Sequence, residues 1–141
     1  MSGKITFTIV KPLAVTMNYV GPILTQITEN DYKVVALKML QLSRAQAGEF
    51  YSIHRDKSFF EELIDFIVSG PVVVAILQKS NAVEDFRKLI GATNPEKAEI
   101  GTIRKLYGVD IQRNAVHGSD SDENALIESR FFFSDLEMFQ N

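Results

Sequence analysis

Hydrophobic residues recur along the chain with two periods, and this predicts a mixture of strands and helices. Alternating or unbroken runs of β-branched and aromatic residues predict four strands, over residues 5–10, 33–42, 72–77 and 131–133. Apolar residues at helical spacing predict helices over residues 17–29, 43–51, 58–69, 81–91 and 123–129. The predicted order is therefore β-α-β-α-α-β-α-loop-α-β, with a short helical turn inside the loop at 102–106.

Several helix boundaries carry their own chemical signals. A capping residue followed three positions later by Gln or Glu is typical of a helix start. This pattern stands at Ser43 and Gln46, at Ser58 and Glu61, and at Asn81 and Glu84. Gly91 is expected to stop the helix that Asn81 opens, and Lys11-Pro12 is expected to end the first strand.

The order of elements favours an α+β fold, a ferredoxin-like βαββαβ sandwich with helices packed on an antiparallel sheet. The sequence contains no internal repeat, low-complexity tract or linker, so residues 1–141 are expected to form a single domain. Residues 92–121 are long and irregular, with Gly101, Gly108 and Gly118 among them. Such a segment inside a compact domain is usually functional.

Composition removes several classes of function. The chain has 141 residues and no cysteine, which excludes disulfides, thiolate metal sites and cysteine nucleophiles. Its formal net charge of −3 argues against a general nucleic-acid binder, although it leaves room for a local basic pocket. No signal-like segment and no run of 18 apolar residues is present, so we expect a cytoplasmic protein.

The candidate nucleophile is His117, which lies in the run Asn-Ala-Val-His-Gly-Ser-Asp-Ser over residues 114–121. Small residues around the imidazole let the backbone bend and leave the ring accessible. Glu128 could hold one ring nitrogen and so fix the tautomer of His117, although a glutamate on a helix surface is also an ordinary finding.

Other side chains suit a phosphorylated ligand. Lysine and arginine bind phosphate oxygens, hydroxyl and amide groups bond to phosphate or ribose, and an exposed aromatic ring stacks on a base. The candidates are Lys11, Phe59, Phe60, Arg87, Thr93, Arg104 and Asn114. Taken singly, each also has an ordinary alternative, as a surface cation, a loop residue or a core aromatic.

Familiar nucleotide and metal motifs are absent from the sequence. There is neither a Gly-x-x-x-x-Gly-Lys-Ser/Thr phosphate loop nor a glycine-rich kinase loop. His54 and His117 are far apart in the chain and no cysteine accompanies them, which makes a zinc site an unfavoured interpretation. We expect His54 to be a structural or surface residue on a helix.

The whole chain nevertheless resembles the nucleoside diphosphate kinases. The matching segments are residues 6–12, Phe59-Phe60, residues 69–72, 89–95 and 101–104, and the run over 114–121. The resemblance implies a ferredoxin-like fold and a ping-pong transfer of the γ-phosphoryl group, mainly from ATP, through a phosphohistidine on His117. The alternatives are a catalytically silent relative that serves as a nucleotide-binding or scaffold subunit, and an RNA-recognition module, whose aromatic strand motifs and basic face are missing.

The resemblance also implies a role for each site residue. Lys11, Arg87, Thr93 and Arg104 would hold the phosphates, Lys11 and Asn114 would reach the sugar, and Phe59 would lie over the base. Tyr51 and Glu128 would steady the ring of His117, with Ser119 hydrogen-bonded to Glu128. Mg²⁺ would arrive with the nucleotide, and the protein would reach it only through water, for instance from Asp120.

Two positions depart from the family pattern, and the assembly is left open. Leu13 stands where the family usually has Asp, and Ser58 stands where it often has Pro, which we expect to loosen the segment that carries Phe59. The edge of the strand over 33–42 needs covering, and strand-edge pairing between copies would do so. Family members with such short tails include homotetramers and homohexamers.

Overall fold

The computed structural model describes residues 3–140, which form four strands and seven α-helices. The strands are β1 (Ile5–Val10), β2 (Lys33–Leu40), β3 (Val72–Gln78) and β4 (Val116–Gly118). The helices are α1 (Pro12–Thr16), α2 (Val20–Glu29), α3 (Arg44–Phe50), α4 (Phe60–Ile67), α5 (Ala82–Ile90), α6 (Ile103–Tyr107) and α7 (Asp122–Phe132). Short 3-10 turns cover Ser52–His54, Pro95–Lys97 and Asp135–Glu137. No helix within this part of the chain is long and apolar enough to cross a membrane.

The four strands form one antiparallel sheet in the order β2-β3-β1-β4. Both faces of β1 are buried, because its side chains alternate between two cores. Phe7 packs with residues of α3, α4 and α7 on one face, whereas Val10 packs with residues of α2, α5 and α6 on the other. The predicted α+β ferredoxin-like sandwich is confirmed, and β1 places the following Lys11 beside β4.

The predicted last strand over 131–133 is wrong, since Phe131 and Phe132 complete helix α7. Its buried residues Ala125, Ser129 and Phe132 recur at helical spacing, which continues the helix past the predicted end at 129. The fourth strand lies earlier, at Val116–Gly118, inside the segment that was expected to be irregular. A strand of three residues is too short to show an alternating pattern.

Two of the helix boundaries predicted from capping signals are confirmed, and two of the predicted caps are wrong. The capping box of Ser43 and Gln46 is confirmed, and Gly91 ends α5 with a positive φ of 89°. Ser58 does not cap α4, which begins after Phe59 with no side-chain cap. Asn81 precedes α5, but its amide donates to Asp85 instead of capping the backbone.

The predicted helix over 17–29 begins only at Val20, and the short helix α1 that precedes it was not predicted. α1 follows directly from Pro12, whose fixed φ suits the first helical position, and α2 starts only at Val20. Asn18 separates them with a φ of 63°, a left-handed conformation that interrupts a helix and that Asn tolerates. β2 likewise ends at Leu40, two residues before the predicted end.

Candidate active site

A cavity of about 740 Å³ opens between α4, α5, α6 and the segment 108–115. Most of the site residues predicted from the sequence line it: Lys11, Phe59, Arg87, Thr93, Arg104, Asn114 and His117. These residues come from five separate parts of the chain, which the sheet and the helices bring together. A cavity of this size accommodates a small-molecule ligand.

Three predicted site residues line a smaller cavity of about 390 Å³, which also reaches His117. They are Tyr51, Asp120 and Glu128. Tyr51 is buried, and burial together with the charge of Glu128 raises the pKa of its phenol. Within residues 3–140, Tyr51 donates no hydrogen bond to His117 or Glu128, and its ring packs beside those of Phe50 and His54.

The backbone of His117 is fixed by the pairing of β4 with β1 and by the packing of β4 against α5. β4 pairs with β1 so that His117 lies opposite Ile9, and the hydroxyl of Thr8 donates to the His117 carbonyl at 2.7 Å. Gly118 packs closely against α5, since a Cβ there would lie 2.9 Å from Cδ1 of Ile90. A side chain at position 118 would therefore push β4 away from the core and move His117.

A chain of hydrogen bonds orients the ring of His117. Its Nε2 lies 2.9 Å from Oε1 of Glu128, and the hydroxyl of Ser119 donates to the same carboxylate oxygen at 2.6 Å. Glu128 sits on α7, whose start is set by the Ser121 side chain, which accepts from the Asn124 amide. With Nε2 engaged by the carboxylate, Nδ1 is the nitrogen left for a reaction.

A strained turn immediately precedes β4. Ala115 has a φ of 79°, and the Val116 amide donates to the Asn114 carbonyl two residues earlier at 3.0 Å, which makes a γ-turn. A non-glycine residue in this conformation costs free energy and is typical of functional sites. The turn is locked because the Lys11 amide donates to the Ala115 carbonyl at 2.9 Å.

The same turn aims Asn114 into a buried network. The ammonium of Lys11 donates to Oδ1 of Asn114 at 2.7 Å, and the amide of Asn114 donates to the Thr93 carbonyl at 3.0 Å. Lys11 and Asn114 are both buried. The network therefore connects the end of β1, the loop after α5 and the segment before β4.

The cavity concentrates positive charge. Burial lowers the pKa of Lys11 to about 7, with a further contribution from Arg104. Burial also lowers the pKa of Arg104 to about 10, assisted by Arg87. Among the described residues that line the cavity there is no carboxylate to neutralise these cations. An anionic ligand would therefore relieve a mutual repulsion.

Within the described part of the chain, the guanidinium of Arg104 has hydrogen bonds at two of its nitrogens and none at the third. Its two terminal nitrogens donate to the carbonyls of Gly91 and Val116, at 3.2 and 2.9 Å, which fixes the guanidinium against the cavity wall. Its buried Nε has no hydrogen-bond partner within residues 3–140. Gly91 lies close to the start of α6, since a Cβ there would lie 2.6 Å from Oγ1 of Thr102, the residue that precedes this helix.

The aromatic entrance includes a residue that was not expected to contribute. Phe60 packs against the core while Phe59 is 47% exposed, as predicted for one core and one exposed ring. His54 lies between Tyr51 and Phe59, with ring centroids 6.3 and 5.6 Å away, and it lines both cavities. It occupies a 3-10 turn, not an α-helix, and its position at the site was missed.

Leu63, Ile111 and Gln112 also line the cavity, and they lie outside every segment that carries the family resemblance. Ile111 and Gln112 lie three and two positions before Asn114, so the irregularity of residues 92–121 could have drawn attention to them. Within the described range, no group of three or more His, Asp or Glu side chains could hold a metal ion.

Ser119 links the chain of hydrogen bonds at His117 to the core of the fold. Its buried hydroxyl accepts from the Phe7 amide at 3.2 Å while it donates to Glu128. In Ser119→Ala the Phe7 amide is left buried without a partner, so we expect the free energy of unfolding to fall by about 1–3 kcal/mol. Urea denaturation measures this, with Ser58→Ala as the control, because Ser58 is exposed and caps nothing. Equal losses in the two variants would contradict this explanation.

Comparison with known proteins agrees with this geometry. The family model described as nucleoside diphosphate kinase matches residues 4–138. The nucleoside diphosphate kinase of Flavobacterium psychrophilum is 52% identical over 139 residues, covering 99% of this chain and 100% of that protein. The structure of the Aquifex aeolicus nucleoside diphosphate kinase superposes with a TM-score of 0.94 at 41% identity, over 96% of this chain and 98% of the other.

A further similar structure contains a bound nucleotide. It is a halophilic nucleoside diphosphate kinase from Halobacterium salinarum in complex with CDP, with a TM-score of 0.91 and 36% identity, covering 98% of this chain and 92% of that one. The family model matches nearly all of the chain, and relatives are about 50% identical to it over its length. These matches assign the chain to one family. The chain belongs to the nucleoside diphosphate kinase family, whose members are phosphotransferases that act on nucleotides.

Proposed function

We propose that His117 carries the phosphoryl group between nucleotides, using Nδ1 as the nucleophile. The observation that carries this proposal is the bond between Nε2 of His117 and Glu128, 2.9 Å long, at the edge of a cavity lined by Lys11, Arg87 and Arg104. The carboxylate occupies one ring nitrogen and stabilises the positive charge that the ring acquires when the other one reacts.

In the first half-reaction, the lone pair of Nδ1 attacks the γ-phosphorus of a nucleoside triphosphate. A nitrogen–phosphorus bond forms, and the bond from phosphorus to the bridging oxygen breaks. The diphosphate leaves with that electron pair. In the second half-reaction, a terminal oxygen of another nucleoside diphosphate attacks the phosphohistidine, and Nδ1 recovers its lone pair.

The protein contributes position and charge to both steps. Lys11, Arg87 and Arg104 stabilise the charge that spreads over the phosphoryl oxygens, and phosphoryl transfer depends mainly on such stabilisation. Thr93 lies beside them on the same wall and adds a hydroxyl for the phosphates. Because hydrogen bonds hold Lys11 and Arg104 in place before the nucleotide binds, these two groups need little reorganisation during the reaction.

Sugar and base have separate contacts in this proposal. Asn114 and Lys11, already bonded to each other, face the sugar hydroxyls. Phe59 stacks on the base without reading its edge, which suits purines and pyrimidines equally. The Halobacterium salinarum relative, which is in complex with CDP, supports a nucleotide as the ligand of this chain.

The residues present fit a Mg²⁺ ion that arrives with the nucleotide. The cavity lining has cations and no carboxylate cluster, so phosphate and water oxygens must supply most of the metal's ligands, as Mg²⁺ commonly prefers. Asp120, fixed by a 2.6 Å bond from Asn124, would reach a metal-bound water. When bound, Mg²⁺ neutralises charge on the phosphates of the substrate.

The experiment that tests the proposed function is a labelled half-reaction. Incubation with γ-labelled ATP and Mg²⁺ is expected to leave acid-labile phosphate on the protein, and added GDP is expected to remove it as labelled GTP. Phosphorus NMR of the denatured phosphoprotein then distinguishes an Nδ1 from an Nε2 adduct. Absence of label would overturn the phosphocarrier role and favour a silent nucleotide-binding relative.

We also propose that the chain self-associates, as a homotetramer or homohexamer, through the outer edge of β2. This edge has no neighbouring strand in the described sheet, and it carries the apolar Leu37 and Met39, which are 50% and 60% exposed. Unpaired strand edges with apolar side chains favour association.

Light scattering is expected to give four or six times the mass of one chain. Replacing both Leu37 and Met39 by Lys should give a smaller species, because charge opposes burial of the edge. Leu126→Lys is the matched control, since Leu126 is exposed to a similar extent on α7, and it should leave the mass unchanged. A wild-type mass of one chain would rule out the association.

A further inference from the structure

One hydrogen bond joins two different walls of the nucleotide cavity. The side-chain amide of Gln112 donates to the carbonyl of Glu62, with 2.6 Å between Nε2 and the oxygen. Glu62 belongs to α4, which begins directly after Phe59, whereas Gln112 lies between Ile111 and Asn114 in the segment 108–115. Within residues 3–140, no other hydrogen bond connects this segment to residues 52–67.

Among the described residues, few side-chain hydrogen bonds hold the cavity end of α4, which forms one of these two walls. α4 has no side-chain cap at its start, and Phe59 is 47% exposed, with the ring of His54 as its aromatic neighbour. The ion pairs of Arg44 with Glu61 and Asp65 are exposed, and exposed pairs contribute little. The bond from Gln112 is therefore the specific tie between this wall and the opposite one.

The other wall is a preformed unit. The Val109 amide donates to the Arg113 carbonyl at 2.7 Å, and the Arg113 amide donates to Oδ1 of Asp110 at 2.7 Å, which closes a turn around position 112. The main-chain carbonyl of Gln112 accepts a long bond, 3.5 Å, from the ammonium of Lys11. Gln112 thus contacts α4 with its side chain and a phosphate-binding cation with its backbone.

We propose that Gln112 is a positioning residue that latches α4 to the segment 108–115 and thereby sets the rate at which nucleotides leave the cavity. The latch closes the base end of the cleft, and it must open when a diphosphate is exchanged for another nucleotide. It makes no contact with His117, so it does not affect the transfer step itself. This inference rests on the proposed function, because it assigns the cavity to nucleotides.

The test compares two glutamine-to-methionine variants. Gln112→Met keeps the length of the side chain and removes the donor. Gln41→Met removes an equivalent bond, because the amide of Gln41 donates to the carbonyl of Val68, the residue that ends α4, at 3.0 Å. Gln41 does not line the nucleotide cavity, so it controls for a general loosening of α4.

Gln112→Met is expected to raise the Kd and the dissociation rate of ADP by about threefold to tenfold, the size of effect that loss of one neutral hydrogen bond produces. The rate of phosphoenzyme formation at saturating ATP should stay within about twofold. Hydrogen exchange without nucleotide should accelerate at residues 108–114. Gln41→Met should leave the ADP constants and this exchange unchanged.

Three other outcomes would each contradict a specific part of the proposal. Equal effects of the two variants on the dissociation rate of ADP would assign the effect to α4 as a whole and overturn the latch. An unchanged dissociation rate in Gln112→Met would overturn it as well. If the wild-type protein itself failed to bind ADP, the proposed function would fail, and the two failures are thereby distinguished.

Discussion

His117→Ala is expected to lower kcat/KM for phosphoryl transfer by at least about 10⁴-fold, because removal of a covalent nucleophile leaves only binding and electrostatic stabilisation. The remaining groups in the cavity are poor substitutes. Lys11 and Arg104 are already committed to Asn114 and to main-chain carbonyls. Transfer measured with ATP and a second nucleoside diphosphate reports the loss directly.

The variant should still bind nucleotide. The phosphate, sugar and base contacts lie on other residues, so the Kd for ADP is expected to stay within about threefold of the wild-type value. This separates loss of the nucleophile from collapse of the site. Incubation with γ-labelled ATP should leave no acid-labile label on the variant.

His54→Ala is the matched control, because His54 is the other histidine of the chain and also lines the cavity. It packs beside Phe59 but has no bond to Glu128 among the described residues. We expect this variant to form the acid-labile phosphoenzyme and to change mainly the KM for nucleotides. Label on His117→Ala, or its absence from His54→Ala, would contradict the assignment of the nucleophile.

Much of the fold could be predicted from local patterns, and the errors have local causes. β1 and β3 were predicted because their buried runs are long enough to show strand character, and Gly91 marks the end of α5 by its positive φ. β4 was missed because three residues show no period. The run at 131–133 was misassigned because apolar residues that end an amphipathic helix resemble a short buried strand.

The sequence predicts which residues form the candidate site better than it predicts how they are arranged. The motif around His117 and the cations of the cavity are visible in the sequence, since their residue types carry the chemistry. Gln112 and His54 were not, because their roles depend on partners such as Glu62 and Phe59 that only tertiary folding brings near. The lowered pKa of Lys11 could not be predicted from the sequence either, because it follows from burial of the side chain in the folded protein.

Binding of ADP at pH 8 is expected to take up about one proton, at Lys11. Burial and Arg104 lower the pKa of Lys11 to about 7, so its amine is mostly neutral at pH 8 in the free protein. Phosphate oxygens favour the charged ammonium and raise that pKa again, so a proton must be bound together with ADP. The Kd for ADP should therefore rise as the pH increases above about 7, by up to about tenfold per pH unit.

Calorimetric titrations of ADP in Tris and in HEPES, whose ionisation enthalpies differ, measure this uptake. Arg104 does not account for it, because its lowered pKa of about 10 leaves it charged at pH 8. The same titrations on His117→Ala exclude the imidazole as the source, and the uptake should persist there. Lys11→Met should abolish it and lower kcat/KM by about 100-fold, through loss of one preorganised donor to the phosphates.

Lys105→Met is the control lysine variant, since Lys105 is exposed and lies outside the residues that line the cavity. It should retain the proton uptake and the pH dependence of the Kd. Uptake that survives in Lys11→Met would place the titrating group elsewhere. Absence of uptake in the wild-type protein would mean that Lys11 keeps its proton without a ligand, so that the bond to Asn114 compensates for burial.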